Sequence, residues 1–344
     1  MKFGPAVAFV GVIAAALLTA AMLLSAGWTR PPVLAEQFGY RGLALGQISN
    51  PRAQALVKFA NSVPAPLDPA PATGKKASAE YKNVKVLGDL SVDQFNRVML
   101  AITAWVSPDQ GCAYCHNTEN LADDGLYTKI VSRRMLQLNR HINNDWKSHL
   151  ANTGVTCYTC HRGAPAPAYV WYNDPSAPHA GGFAADTGGM GHPTRVNGST
   201  GLPSDPFTPY IENHETIRVS GKTALPEGFG ASIQTTEQTF SLMIHLSQSL
   251  GVNCTYCHNT RGFPDWTQSS PARVTAWHGL ELVRDINENY LDPLKETLPA
   301  SRLGPHGDAP KADCATCHQG VPKPLLGVSM AKDYPELGGV TGAQ

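Results

Sequence analysis

The sequence predicts a mainly α-helical fold with extensive irregular loops and a few short strands, built as two similar halves. Three observations predict it. One pentapeptide pattern, Cys-x-x-Cys-His, occurs at 112–116, 157–161, 254–258 and 314–318 and uses all eight cysteines. Amphipathic helical stretches flank the first and third copies in the same order. Finally, 32 glycines and 27 prolines in 344 residues break the remaining backbone into turns and loops.

The pentapeptide is the attachment motif of c-type haem: two thiols add to the porphyrin vinyl groups and the histidine reaches the iron. A lone Cys-x-x-Cys more often marks zinc or a redox dithiol. A histidine in the fifth position four times, with no cysteine to spare, points instead to four covalently bound haem c groups. Their anchors are Cys112 and Cys115, Cys157 and Cys160, Cys254 and Cys257, and Cys314 and Cys317; their proximal ligands are His116, His161, His258 and His318. Charged residues are 16% and the net charge is zero, so the basic excess of a nucleic-acid binder is lacking.

Taken in order, residues 1–29 read as a membrane anchor or uncleaved signal. Phe3 to Trp28 is apolar and uncharged, long enough to cross a bilayer, with Lys2 before it and Arg30 after. A cleaved signal is the competing reading, but the apolar run exceeds the ordinary signal core. Residues 30–80, rich in Pro, Ala and Gly, form an extended arm with one short helix near Ala53 to Ala60. The first half, 81–170, opens with alternation over Tyr81 to Leu87 that predicts a short strand. The capping box Ser91-Val92-Asp93-Gln94 then starts a helix to about Val106.

Phe95, Val98, Met99, Ile102 and Trp105 recur at helical spacing on that helix, which places Met99 on its buried face. Thr235 to Gln238 caps a second such helix carrying Phe240 and Met243 ahead of the third motif. Helices follow the first and third motifs as well, over Ile130 to Leu150 and Arg273 to Leu291. Within them Ile142-Asn143-Asn144-Asp145-Trp146 matches Ile286-Asn287-Glu288-Asn289-Tyr290, the mark of a duplication in which each half binds a haem pair. Residues 171–219 connect the halves, 220–325 form the second, and 326–344 are a C-terminal tail; the chain after Gly320 reads as loop.

Carriers of electrons close both faces of the iron, whereas catalytic haems keep one open. Met1 and Met22 lie in the N-terminal run, and Met190 and Met330 in loops. Met99, Met135 and Met243 therefore remain as sixth ligands for three haems. The fourth haem has no methionine between its motif and the third, so it needs a histidine, either His278 or His149. His141, His179, His192, His214, His245 and His306 are read as non-ligands. Trp105, Trp146, Trp266 and Trp277 are read as packing against porphyrin, and Arg273 as a cation able to raise the third haem's potential. Glu119, Asp123 and Asp124 form a solvated acidic loop or a docking patch for a basic donor.

From Gly39 onward the chain resembles the tetrahaem cytochrome subunit of photosynthetic reaction centres of purple bacteria. The stretches that carry this are FGYRGLALG (38–46), YKNVKVLG (81–88), ITAWVSPDQGC (102–112), GVTCYTCHRG (154–163), DPFT (205–208), LPASRLG, CHQG and KDYPELG. The resemblance implies Met99 with His116, Met135 with His161, Met243 with His258, and His149 with His318, the last pair bis-histidine; His278 then takes a packing role. It also implies a non-enzymatic electron carrier at the periplasmic side of the membrane. Its donor is a soluble cytochrome c or high-potential iron-sulfur protein, and its acceptor the bacteriochlorophyll special pair of the core subunits. The haem nearest that pair corresponds to Met243 and His258, and the light-harvesting antenna is a candidate further partner. Several members are tethered through an N-terminal lipidated cysteine; no cysteine precedes Cys112, which leaves the apolar segment as a single-pass anchor. The rival functions are a multihaem reductase, which needs an open iron, and a membrane-anchored quinol-oxidising cytochrome, which has fewer methionine ligands.

Overall fold

The computed structural model describes residues 4–25, 33–173, 196, 200–220 and 231–338. Trp28, Arg30, His179, Met190, His192 and most of the expected connection lie outside the described residues. Helix α1 (Pro5–Ser25) carries no Asp, Glu, Lys or Arg over its 21 residues, about 32 Å at 1.5 Å per residue. Counting only residues whose side chains are described, no helix is long and apolar enough to cross a membrane. Pro5, Ala6 and Ala8 of α1 fall outside that count, so the expected anchor is not shown by the described side chains.

The arm contains an antiparallel hairpin, β1 (Leu34–Phe38) and β2 (Leu45–Ser49), which the sequence reading takes as merely extended. It is sewn to the third motif. Thr255 Oγ1 donates to Phe38 O at 2.5 Å and accepts from Leu45 N at 2.8 Å, and Asn253 Nδ2 donates to Leu45 O at 2.9 Å. Gly39 makes that approach possible, since a Cβ there would lie 2.4 Å from Thr255 O. Helix α2 (Pro51–Ala60) follows with Asn50 as N-cap, over the span expected for a short helix.

Helix α3 (Ala77–Glu80) is a single turn. The strand expected over 81–87 does not form; the segment is a run of turns with Asn83 at φ +63°. Its carbonyls serve side chains instead of a partner strand: Asn83 O accepts from Arg133 and Val86 O from Arg140, both at 3.1 Å. Of that stretch Leu87 is turned into the core with Val86 packed against it, and Leu90 just beyond joins them.

Helix α4 (Val92–Val106) begins at the expected capping box: Gln94 N donates to Ser91 Oγ at 3.1 Å, and Ser91 N to the Gln94 side chain at 3.3 Å. Helix α5 (Tyr127–Asp145) stops five residues short of the expected Leu150, breaking at Trp146 into the short α6 (Lys147–Leu150). Helix α7 (Cys157–His161) is the second motif, and β3 (Val170–Trp171) pairs with β4 (Lys311–Ala312). Helix α8 (Ile233–Leu250) is capped by Ser232, so it starts before the predicted Thr235. Helix α9 (Pro271–Ile286) ends before Leu291 in a wider turn over Asn287–Leu291, and α10 (Cys314–His318) is the fourth motif.

The chain after Gly320 is not simple loop. Short 3₁₀ turns at Pro324–Gly327, Met330–Lys332 and Pro335–Leu337 bury Leu325, Met330, Tyr334 and Leu337. They pack with Leu87, Val98, Trp105 and Leu136, so the tail completes the core around α4. Arg97 of α4 fixes it there. The guanidinium donates to Leu67 O (2.8 Å), Asp68 O (2.7 Å) and Asp333 O (2.7 Å), pairs with Glu336 at 3.2 Å and lies 4.0 Å over the Tyr334 ring.

A second core joins α5 to α9 through Leu138, Ile142, Leu282 and Ile286. At its edge His141 bridges Asp145 (Nδ1 to Oδ2, 2.7 Å) and Asp285 (Nε2 to Oδ2, 2.6 Å) and stacks on Tyr290, whose ring centroid lies 4.8 Å from the Arg134 guanidinium. Burial opposes the imidazolium, but the two carboxylates outweigh it and raise the His141 pKa above its ordinary value. The bridge therefore contributes in full below about pH 6.5, the unfolded value, and is lost as pH rises through the higher folded value. The thermal midpoint is expected to fall across that window, and His141→Gln to remove the slope; an unchanged slope in the variant would assign it elsewhere.

Candidate haem sites and their family

The four motifs fall into two geometries. The first and third are 3₁₀ turns, Gly111–Tyr114 and Cys254–Tyr256. In each, the helix that follows reaches back: Thr128 Oγ1 donates to Tyr114 O, and Ser270 Oγ to Tyr256 O, both at 2.5 Å. The second and fourth are one-turn α-helices with reciprocal N-caps, Thr156 with Thr159 and Asp313 with Thr316. Each ends on a left-handed residue, Arg162 at φ 52° and Gln319 at φ 47°.

An asparagine clamps the approach to each of these helices through both its amide atoms. Val155 N donates to Asn143 Oδ1 at 2.7 Å while Asn143 Nδ2 donates to Val155 O at 2.9 Å. Ala312 N donates to Asn287 Oδ1 at 2.8 Å and Asn287 Nδ2 to Ala312 O at 3.0 Å. The glycine two residues past each histidine then docks on the preceding methionine helix: Gly163 N to Trp105 O and Gly320 N to Ser249 O, each 2.8 Å. At the second docking point Gly251 (φ +66°) leaves no room for a side chain, since a Cβ would lie 2.1 Å from Gly320 O.

All four histidines share one arrangement. Nδ1 donates to a nearby backbone carbonyl: His116 to Leu121 O (3.1 Å), His161 to Ala164 O (2.9 Å), His258 to Phe263 O (2.8 Å) and His318 to Val321 O (3.0 Å). This fixes the tautomer and ring orientation and leaves Nε2 with its lone pair for a metal. Burial lowers the pKa of His161 and His258 and pushes His318 down to about 4, which favours the neutral form of these three rings.

The thiols do not resemble a redox dithiol, whose attacking cysteine has a lowered pKa. Burial pushes Cys157 and Cys314 up to about 12 and Cys257 to about 11. Nor do three His, Cys, Asp or Glu side chains gather around one point among the described residues, as a zinc site would require. Cys160 and Cys317 are joined in a disulfide, with Cα atoms 4.4 Å apart. A sulfur so bonded cannot also carry a thioether, so this bond and the expected haem attachment at those two positions are alternatives. Either way, the second cysteines of the second and fourth motifs face each other.

The expected sixth ligands are placed as follows. Met99, Met135 and Met243 are half-buried on α4, α5 and α8; one turn beyond Met99, Thr103 Oγ1 lies 4.0 Å from Cys112 Sγ. His149 reaches α9. Its Nδ1 donates to Thr275 O at 2.9 Å and its ring centroid is 6.0 Å from that of His318. Gly279 admits the ring, because a Cβ there would lie 2.6 Å from His149 Cε1. His245 points inward, edge-on to Phe207 and hydrogen-bonded to Ser249 at 3.2 Å; burial lowers its pKa to about 3. It is a packing residue.

Around the odd-numbered motifs, apolar side chains stand open: Leu121 is 60% exposed, Ile130 42%, Trp266 51% and Trp277 42%. Such surface beside paired thiols and an oriented imidazole suits a flat apolar ring. Of the acidic loop, Asp124 is neutralised by Arg133 (2.8 Å), Lys129 (3.2 Å) and Lys85 (3.7 Å), which leaves Glu119 and Asp123 as its exposed charges.

Comparison with known proteins agrees. The chain is 50% identical to the photosynthetic reaction center cytochrome c subunit of Thermochromatium tepidum over 94% of its own length and 79% of that protein's. It is 50% identical to the corresponding subunit of Rubrivivax gelatinosus over 93% and 87%, and 40% identical to that of Roseobacter denitrificans over 97% and 93%. Residues 29–338 match the family model described as photosynthetic reaction centre cytochrome C subunit, and the chain belongs to that family.

Proposed function

We propose that this chain is a tetrahaem electron carrier and not an enzyme. It takes electrons from a soluble periplasmic carrier, a small cytochrome c or high-potential iron-sulfur protein, and re-reduces the photo-oxidised bacteriochlorophyll pair of the reaction-centre core. The observation that carries this reading is the fourfold repetition of one histidine geometry, Nδ1 on a carbonyl and Nε2 left for iron, each beside a cysteine pair. Haem c, when bound, supplies a one-electron iron couple. The rest is the chain's own work. Four cysteine pairs would tether the rings, with thioethers at Cys160 and Cys317 in place of the disulfide between them. Met99 with His116, Met135 with His161 and Met243 with His258 would each hold an iron through a thioether and an imidazole, and His149 with His318 would hold the fourth through two imidazoles.

Metal–imidazole nitrogen bonds run about 2.0–2.1 Å, so two rings on opposite sides of one ion have centroids about 6 Å apart. The 6.0 Å between the His149 and His318 ring centroids supports that pairing. The matched clamps at Asn143 and Asn287, and the matched dockings of Gly163 and Gly320, support reading 81–170 and 220–325 as repeated halves that each hold a haem pair. The facing Cys160 and Cys317 support a close approach of the second and fourth haems. The charge-free α1 supports tethering at the periplasmic face by a single helix.

Flash spectroscopy on membranes with and without the chain tests the function. Re-reduction of the special pair is expected to slow at least tenfold in its absence; equal rates in both membranes would overturn the reading.

A further inference from the structure

Two of the four histidine-accepting carbonyls carry a second donor, and that donor is a cation. In the second half, Arg273 Nη1 reaches Phe263 O at 3.3 Å, the oxygen that accepts from His258 Nδ1 at 2.8 Å. In the first half the same place is filled by Lys129. Its Nζ donates to Leu121 O at 2.8 Å, the oxygen that accepts from His116 Nδ1 at 3.1 Å, and to Asp123 O at 2.6 Å. Lys129 is 6% exposed. Both cations stand on the helix that follows their motif, near the hydroxyl that holds the motif turn, Thr128 or Ser270. Among the described residues no cationic side chain donates to Ala164 O or Val321 O, the carbonyls of His161 and His318.

We propose that Lys129 is a potential-setting residue for the haem of the first motif, acting on His116 through the Leu121 carbonyl. Two effects share a sign. An ammonium that takes up the carbonyl's electron density weakens its hold on the imidazole N–H, which makes the ring a poorer donor to ferric iron. The buried positive charge itself disfavours the more positive oxidised site. Both raise the potential. Asp124, 3.2 Å from Lys129 and half-exposed, opposes the second effect, but it is shared with Arg133 and Lys85.

The inference rests on the haem-ligand reading above, and one experiment separates the two. Redox titration of the complete complex would be run on Lys129→Met, Lys129→Arg and Asp124→Asn, with Met99→His used to identify the first haem's component. In parallel, mass spectrometry would verify haem on the peptide containing Cys112 and Cys115. Lys129→Met is expected to shift that haem's reduction equilibrium roughly tenfold toward the oxidised form, about 59 mV lower for a one-electron couple. Lys129→Arg should hold the parent value, and Asp124→Asn, a surface change, should move it upward. The other three components should stay in place. Haem present on the peptide with an unmoved potential in Lys129→Met overturns the proposal, as do an Asp124→Asn shift that is absent or downward and a common shift of all four components. Absence of haem from the peptide would overturn the ligand reading instead.

Discussion

His149→Met is expected to raise the potential of one haem, the lowest of the four, by roughly 100 mV or more, within the ~0.8 V range that axial ligands command. Imidazole donates to ferric iron and lowers the potential, whereas thioether favours ferrous iron and raises it. The chain's other three irons are read as already methionine-ligated, so the change would bring the outlier toward them. His149 is positioned for this role by a hydrogen bond to Thr275 O and by the absence of a side chain at Gly279. His278→Met is the control and should leave all four potentials in place. A redox titration in which His149→Met changes nothing, or in which His278→Met moves the low component, would reassign the ligand.

Arg97→Met is expected to destabilise the fold by about 3–5 kcal/mol, the cost of leaving one member of a buried ion pair alone. The Arg97 and Glu336 side chains are 5% and 2% exposed, so Glu336 has no water to replace the guanidinium. The same substitution frees three backbone carbonyls, those of Leu67, Asp68 and Asp333, each of which loses a charge-assisted donor. Because Arg97 ties the arm, α4 and the C-terminal tail together, the loss should expose the tail to proteolysis near Asp333. Pairing Arg97→Met with Glu336→Leu should recover part of the stability by removing the isolated charge. Denaturation midpoints for the single and the double variant check this; a loss in Arg97→Met below about 1 kcal/mol, in the range of exposed ion pairs, would show that Glu336 finds another partner.

The motifs and the helices around them were legible because their signals are local. The Ser91–Gln94 capping box set the start of α4 to the residue, and Cys-x-x-Cys-His needs only five positions to declare its chemistry. What the sequence did not disclose depends on contacts between distant residues. The alternation over 81–87 suggested a strand, but Arg133 and Arg140, some fifty residues on, claim the carbonyls a partner strand would need. The hairpin at 34–49 exists because Thr255 and Asn253 hold it. The tail looked like loop until Arg97 and the apolar face of α4 were there to order it.

The site divides in the same way. The proximal histidines follow from spacing alone, and the methionines from elimination along the chain. The choice of His149 over His278 came from family resemblance; that the two rings of His149 and His318 lie 6.0 Å apart is a contact between distant residues that no local pattern announces. The carbonyls that orient each imidazole, and the cations on two of them, are backbone and second-neighbour features with no signature in residue type. Likewise Gly279 and Gly251 show their purpose only when the ring or the carbonyl that would meet a Cβ is in view.

Carbon monoxide titration of the fully reduced, full-length protein at neutral pH tests the whole account most directly, because the gas binds only iron with an open coordination position. Four irons each held on both sides by histidine and methionine, or by two histidines, should take up none while the fold is intact. Uptake of one molecule per chain would expose a vacant iron and contradict the reading of this protein as a pure relay of electrons.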